Sequence, residues 1–124
     1  MARYFTVEEA NALLPRLKAL LEQMLAARQR IVDTRQTWQP VLEKAQANGG
    51  GAQAKELFLD TNRIQLTLAQ INGWGIVIKD VDTGLVDFLH LRNGNEVYLC
   101  WRLGEPEVGY WHAIDSGFAG RQPL

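Results

Sequence analysis

The segment 99–112, LCWRLGEPEVGYWH, concentrates side chains that can do chemistry. Together with nearby residues it offers a metal-binding or acid–base set, because carboxylates combined with an imidazole suit a divalent ion. No pair in the set has the spacing of HExxH, CxxC or an EF-hand loop, so the metal prediction lacks a specific motif. The members of the set are Asp87, Cys100, Glu105, Glu107, His112 and Asp115.

His112 and Cys100 each have two interpretations. His112 is either a functional imidazole or a hydrogen-bonded histidine of a sheet. The strand register across 104–107 is uncertain by one residue, and it decides which face of the sheet His112 occupies. Cys100 lies between Leu99 and Trp101, which is typical of a small buried hydrophobe. A nucleophilic cysteine needs a base and an electropositive pocket, and no nucleophile motif accompanies this one.

The ending 115–124, DSGFAGRQPL, places two glycines around an aromatic residue before Arg121. Its amides and guanidinium suit an anion. The alternative is a tail pinned on the sheet by Phe118 and Arg121. The sequence identifies no catalytic residue and no cofactor. Candidate metal ligands are His112, Glu105 and Asp87, and the full set of candidate ligand-binding residues is Asp87, Arg102, Glu105, Trp111, His112, Asp115 and Arg121.

A four-stranded antiparallel meander is predicted to hold these residues. Four segments separated by turn residues have the composition of strands: IVIKD, LVDFLHL, EVYLCWR and VGYWHAI. Asn93-Gly94 predicts a two-residue hairpin turn, which pairs Phe88 with Leu99, Val86 with Trp101 and His90 with Val97. One face of the sheet is then mostly apolar, and the other is mixed.

A long helical hairpin precedes the sheet. Thr6 and Glu9 form a capping box, and apolar residues at steps of three and four predict a helix over 7–46, kinked or restarted at Pro15 and Pro40. The glycines of 48–51 end it, and a second helix is predicted over 52–72. The second helix covers only about half of the first, so the stripe Leu13–Met24 must be covered by the sheet.

These elements predict an α+β fold, with 1–124 as a single domain: a helical hairpin over 6–72, then the meander and tail over 74–124. The net charge is −1, so we expect binding neither to nucleic acid nor to an anionic membrane. We expect a cytoplasmic protein, because no apolar run reaches membrane-spanning length, no secretory signal is evident and the one cysteine has no internal partner.

Three stretches, FTVEEANALLPRL, GLVDF and YLCWRLGEPEVGYWHAIDSGFAGRQPL, resemble the uncharacterised prokaryotic family catalogued as domain of unknown function 2203. The resemblance extends over essentially the whole chain and implies no particular activity, substrate or cofactor. It implies that the family's motif positions include Lys79, Asp80, Gly84, Asp87, Trp101, Gly104, Glu105, Trp111, His112, Asp115, Gly117, Gly120 and Arg121.

The sequence leaves the function unknown and supports two hypotheses. The first is a non-catalytic interaction module that docks a second copy or another protein, because the apolar stripe exceeds the cover available within the chain. The second is a small-ligand or divalent-metal-binding protein, with or without enzymatic activity, whose site lies on the C-terminal sheet and its loops.

Overall fold

The computed structural model describes residues 3–33 and 52–124. Two helices, α1 (Val7–Asp33) and α2 (Ala52–Gly73), precede a sheet of five strands. The order of the strands in the sheet follows the chain, and all neighbours are antiparallel. This confirms the α+β fold class. The strands are β1 (Val77–Asp80), β2 (Leu85–Arg92), β3 (Asn95–Arg102), β4 (Tyr110–Ala113) and β5 (Gln122–Pro123).

The start of α1 is the predicted capping box. The Glu9 amide donates to Thr6 Oγ1 at 3.0 Å, and the Thr6 amide donates to Glu9 Oε1 at 2.9 Å. Hydrogen bonding to Thr6 also lowers the pKa of the Glu9 carboxyl. The helix runs through Pro15 rather than restarting there. The predicted continuation over 34–46, with Pro40, and the glycines of 48–51 lie outside the described residues.

The buried face of α1 differs in detail from the predicted apolar stripe Leu13–Met24. Leu14 and Leu21 are buried, whereas Leu13 and Leu20 are only half-buried. The reason is that two partners cover the helix. Leu14 shares a groove with Trp101 of β3, and Leu20 shares one with Leu59 and Leu66 of α2.

The β2–β3 hairpin has the predicted turn and register. Asn93 and Gly94 have φ values of 53° and 81°, the left-handed conformation that a two-residue hairpin turn requires. Phe88 pairs with Leu99, and Val86 pairs with Trp101. Successive side chains of a strand alternate between the two faces of the sheet, so this register decides which residues meet on each face.

The prediction of four strands is wrong by one. β4 is shorter than predicted, because the Val108 amide donates to Asn11 Oδ1 of α1 instead of joining the sheet. After β4 the chain turns back, and β5 pairs with β4 through Trp111 and Gln122. A two-residue strand is too short to show alternation, and Pro123 is tolerated there because β5 is an edge strand.

The sheet covers the amino-terminal half of α1, as predicted. One apolar cluster joins buried residues of the helix to buried residues of β2 and β3. The ring of Phe5 packs edge-on against Phe88, with centroids 5.2 Å apart. Within this cluster lie Leu14, Leu17, Leu21 and Met24 of α1 and Val86, Phe88, Leu99 and Trp101 of the sheet. Neither of the described helices has the length and apolar character needed to cross a membrane.

Candidate functional site: a buried Asp–Cys–His cluster

The sheet face turned away from α1 holds the buried polar residues of the protein's central strands. Asp87 of β2 lies directly opposite Cys100 of β3, and Tyr98 of β3 lies opposite His112 of β4. The β3–β4 register therefore puts His112 on the same face as Asp87 and Cys100. It resolves the alternative that the sequence left open at 104–107.

Asp87 and His112 form a buried pair. Their side chains are 1% and 3% exposed, and His112 Nε2 lies 3.0 Å from Asp87 Oδ2. The other ring nitrogen, Nδ1, lies 2.8 Å from the carbonyl oxygen of Ala113. A carbonyl oxygen only accepts, so Nδ1 carries a hydrogen and donates it. Nε2 then faces a second acceptor, and a proton or a metal ion must lie between Nε2 and the carboxylate.

Cys100 completes the cluster. One oxygen of Asp87, one ring nitrogen of His112 and Cys100 Sγ all lie within 4.8 Å of one another. Burial first, and then the charge of Asp87, raise the pKa of the Cys100 thiol from 9.0 to about 12, against a smaller opposing influence of Arg121. At neutral pH the metal-free protein therefore holds a thiol at this position. A thiol is a poor nucleophile, so the raised pKa of Cys100 does not favour cysteine catalysis.

Asp87 has few donors around its carboxylate. Its Oδ1 is buried without a donor of standard hydrogen-bond geometry, and the only other hydrogen bond to this carboxylate besides that of His112 comes from the Cys100 thiol among the described residues. Burying a carboxylate oxygen in this way is costly unless a donor or a cation satisfies it. The three side chains therefore present a carboxylate oxygen, an imidazole nitrogen and a sulfur atom to one small volume.

A second polar pair lies beside the cluster. Arg121 donates from Nη2 to both carboxylate oxygens of Glu105, at 2.9 Å each. Glu105 Oε1 also accepts from the Arg102 amide at 2.7 Å. The guanidinium of Arg121 stacks over the rings of Tyr110 and Phe118, at 3.9 and 4.5 Å from their centroids. The Nη2 group of Arg121 thus already binds an anion, the carboxylate of Glu105. The contact between Arg121 and Phe118 holds the C-terminal tail against the sheet.

The structure brings together only part of the candidate set from the sequence. Asp87 and His112 are in contact, and the Glu105–Arg121 pair lies near Cys100, whose cross-strand partner Tyr110 stacks on Arg121. Glu105 is outside the group of possible metal ligands, and its carboxylate is paired with Arg121 instead. That group includes Cys100, which the sequence places in the metal-binding or acid–base set but not among the candidate ligand-binding residues. The predicted hairpin register already places it opposite Asp87, and this signal was sufficient to find it.

Three candidates lie apart from the cluster. Trp111 is on the opposite face, where it packs against the apolar core and lies under the guanidinium of Arg92. Arg102 is exposed and lies over the ring of Phe118. Asp115 is exposed in the turn that follows β4. Alternation along β4 explains the case of Trp111, since its neighbour His112 points the other way.

A groove of about 590 Å³ lies between α1 and the turn 104–107. Trp101 and Leu14 form part of its wall, and Lys18 and Glu107 supply charge. It contains none of the three cluster residues and meets their surroundings only at Glu105. Its size alone assigns it no chemistry, whereas the cluster has defined donor atoms.

Comparison with known proteins gives a family. A family model described as an uncharacterized conserved protein, DUF2203, matches residues 3–124. The chain belongs to this family. The match confirms the resemblance seen in the sequence, and the DUF2203 description assigns no activity. No curated protein and no solved structure matches the chain. Asp87, Cys100 and His112 are therefore interpreted from their geometry.

Proposed function

We propose that this DUF2203 protein binds a divalent transition-metal ion, of the Zn²⁺ or Co²⁺ class, through Asp87, Cys100 and His112. The observation that carries the proposal is the convergence of one carboxylate oxygen of Asp87, one ring nitrogen of His112 and the Cys100 sulfur, all within 4.8 Å of one another. In tetrahedral zinc sites, bond lengths of about 2.0–2.3 Å put ligand atoms roughly 3.3–3.7 Å apart. Small side-chain adjustments bring donors that lie within 4.8 Å to that spacing.

The charge of the cluster also favours a divalent ion. A thiolate and a carboxylate together carry two negative charges, and neutral imidazole adds none. A divalent cation makes the buried site neutral, which avoids the large cost of burying net charge. Sulfur and imidazole ligands select zinc-like ions over Mg²⁺ and Ca²⁺, which prefer oxygen.

The hydrogen bond from His112 Nδ1 to the Ala113 carbonyl supports the same proposal. Metal-bound histidines usually donate their second ring N–H to a carbonyl or carboxylate, which fixes the tautomer and leaves the other nitrogen free to ligate. Here the nitrogen so freed is Nε2, and it faces Asp87.

Titration of metal-free protein with Co²⁺ tests the proposal. We expect a thiolate-to-cobalt charge-transfer band, displacement of Co²⁺ by Zn²⁺ and no displacement by excess Mg²⁺. The variants Cys100→Ser and His112→Gln should bind Co²⁺ at least about 100-fold more weakly, because each removes a ligand.

The chain offers a matched control. His90, the other histidine, lies on the α1 side of the sheet and bonds the Phe5 carbonyl through Nδ1. His90→Gln should leave Co²⁺ affinity unchanged. The proposal is overturned if the wild-type protein gives no charge-transfer band, or if His90→Gln and His112→Gln weaken binding equally while circular dichroism shows both folded.

A separate observation favours self-association as a second function. Phe58, Leu59 and Leu66 of α2 are each more than half exposed. Leu59 and Leu66 are seven residues apart, so they share a helix face, and with Leu20 they line a groove of about 300 Å³ between the two helices. We infer that a second copy of the chain covers this face through coiled-coil-like packing.

Light scattering with size-exclusion chromatography measures this association. The wild-type protein should elute as an oligomer, and Leu59→Ser with Leu66→Ser should give a monomer. Leu91→Ser, at an exposed leucine of β2, is the control and should leave the mass unchanged. A monomeric wild-type protein at micromolar concentration rules the second function out. We also propose a cytoplasmic location, which suits the free thiol of Cys100.

A further inference from the structure

The Nε–H group of Arg121 is a buried donor, and no acceptor for it is found among the described residues. Among those residues, two buried side-chain polar atoms lack a hydrogen-bond partner: Asp87 Oδ1 and Arg121 Nε. A metal ion bound by the Asp87 carboxylate would satisfy the first. It does not account for the second, because a cation cannot accept a hydrogen bond.

The guanidinium of Arg121 lies on the same face of the sheet as the cluster. Arg121 stacks on Tyr110 at 3.9 Å, and Tyr110 is the direct cross-strand partner of Cys100. Directly opposed residues of antiparallel strands have Cβ atoms about 4.5–5.5 Å apart and share a face. Arg121 is therefore a neighbour of the cysteine ligand, and Phe118 confines it from another side.

The pairing with Glu105 leaves part of the guanidinium unused. Only Nη2 donates to the carboxylate, whereas an arginine has five N–H donors in a planar fork. Guanidinium groups commonly bind carboxylates and other oxyanions through such donors. At the same time, three protein ligands leave a zinc-class ion with a coordination position for an exogenous ligand.

We propose, on the basis of the metal function above, that this open position takes a small carboxylate whose oxygen accepts a hydrogen bond from Arg121 Nε. The metal ion and the arginine then hold the same ligand from two sides. Asp87, Cys100 and His112 are each only 1–2% exposed, so formate and acetate, the smallest carboxylates, are the ligands chosen for the test. Arg121 is a binding residue in this arrangement, and Glu105 positions it.

Formate titrated into Co²⁺-loaded protein tests the proposal, with the visible d–d spectrum of cobalt as the readout. The wild-type protein should show a saturable spectral change with formate and acetate, and none with benzoate. Arg121→Gln should retain Co²⁺ and bind formate at least about tenfold more weakly, the loss expected for one charge-assisted hydrogen bond. Arg121→Lys should also be weakened, because it keeps the charge and loses the Nε donor.

Arg92→Gln is the matched control. Arg92 also stacks on an aromatic ring, that of Trp111 at 4.6 Å, but on the opposite face of the sheet. Its formate affinity should equal that of the wild type. Absence of any formate-dependent change in a protein that shows the cobalt spectrum overturns this inference and leaves metal binding intact. Equal formate affinity in Arg121→Gln and Arg92→Gln overturns it as well. Absence of the cobalt spectrum itself refutes the metal function instead.

Discussion

At the centre of strands β2 and β3, both faces of the sheet hold fully buried residues, and those residues have opposite chemistry. Val86 and Phe88 are fully buried against α1, and Asp87 between them is fully buried on the other face. Burial of the first two lowers the free energy of the folded state directly. Burial of the aspartate raises it unless a partner satisfies the carboxylate. The comparison teaches that equal burial marks an apolar core on one face and, on the other, a polar cluster whose side chains must satisfy one another.

Removing a large side chain from the apolar face should have the largest effect on stability. Phe88→Ala should lower the free energy of unfolding by about 3–5 kcal/mol, because it leaves a cavity in the cluster with Phe5 and α1. Urea denaturation measures the loss. Leu91→Ala on the same strand is exposed and should change stability by no more than about 0.5 kcal/mol. Similar losses for the two variants would contradict the assignment of this face to the core.

Substitutions on the polar face should lower stability because they break the Asp87–His112 pair, not because they leave a cavity. In metal-free protein, Asp87→Ala should cost about 3 kcal/mol, because it leaves His112 buried without its partner. A double-mutant cycle with His112→Ala should give a coupling energy of about 1–3 kcal/mol. Strict additivity would show that the two residues do not act as a pair.

The raised pKa of the Cys100 thiol should make the free energy of unfolding depend on pH. Its pKa is about 12 in the folded protein against 9.0 ordinarily, so deprotonation favours the unfolded chain. The contribution to stability is complete below pH 9 and is lost as the pH rises towards 12. The expected slope is at most about 1.4 kcal/mol per pH unit.

Cys100→Ala isolates this contribution, since the other titrating groups are common to both proteins. The difference in unfolding free energy between wild type and variant, measured in the absence of metal, should be constant below pH 9 and should shrink above it. A difference that stays constant throughout would mean that the thiol is not held in its protonated form.

The smallest difference in stability loss is expected between substitutions of the two arginines that stack on aromatic rings, Arg121 and Arg92. Arg121→Gln should lower stability by about 1–2 kcal/mol, because it removes two partly buried hydrogen bonds to Glu105. Arg92→Gln loses only its stacking on Trp111 and should cost about 0.5 kcal/mol. Thermal or urea unfolding of both variants measures the difference. A larger loss for Arg92→Gln than for Arg121→Gln would contradict this prediction.

Features that depend on local sequence were predictable. The capping box at Thr6 and the turn at Asn93-Gly94 each rest on a few adjacent residues, and the turn alone determines the β2–β3 register. The apolar face and its packing on α1 followed from that register. Asp87 and His112 were recognised as candidates from residue type, and the register placed Asp87 opposite Cys100.

Features that depend on distant contacts were not predictable. The position of β4 rests partly on the Asn11 side chain, which captures the Val108 amide from the other end of the chain. β5 exists because the Leu124 amide reaches the Gly109 carbonyl, and no alternation marks so short a strand. The contact between Asp87 and His112 required the β3–β4 register, which the turn residues at 104–107 leave ambiguous.

The consecutive order of the strands has a consequence for folding kinetics. Each strand pairs with the one made just before it, so the sheet can grow by closing short loops, starting from the hairpin at Asn93-Gly94. Phe5 is different: its amide donates to the Leu89 carbonyl and its ring meets Phe88, contacts that close a much longer loop. The amino-terminal segment should therefore dock after the hairpin has formed, and substitutions at Phe5 should speed unfolding more than they slow folding.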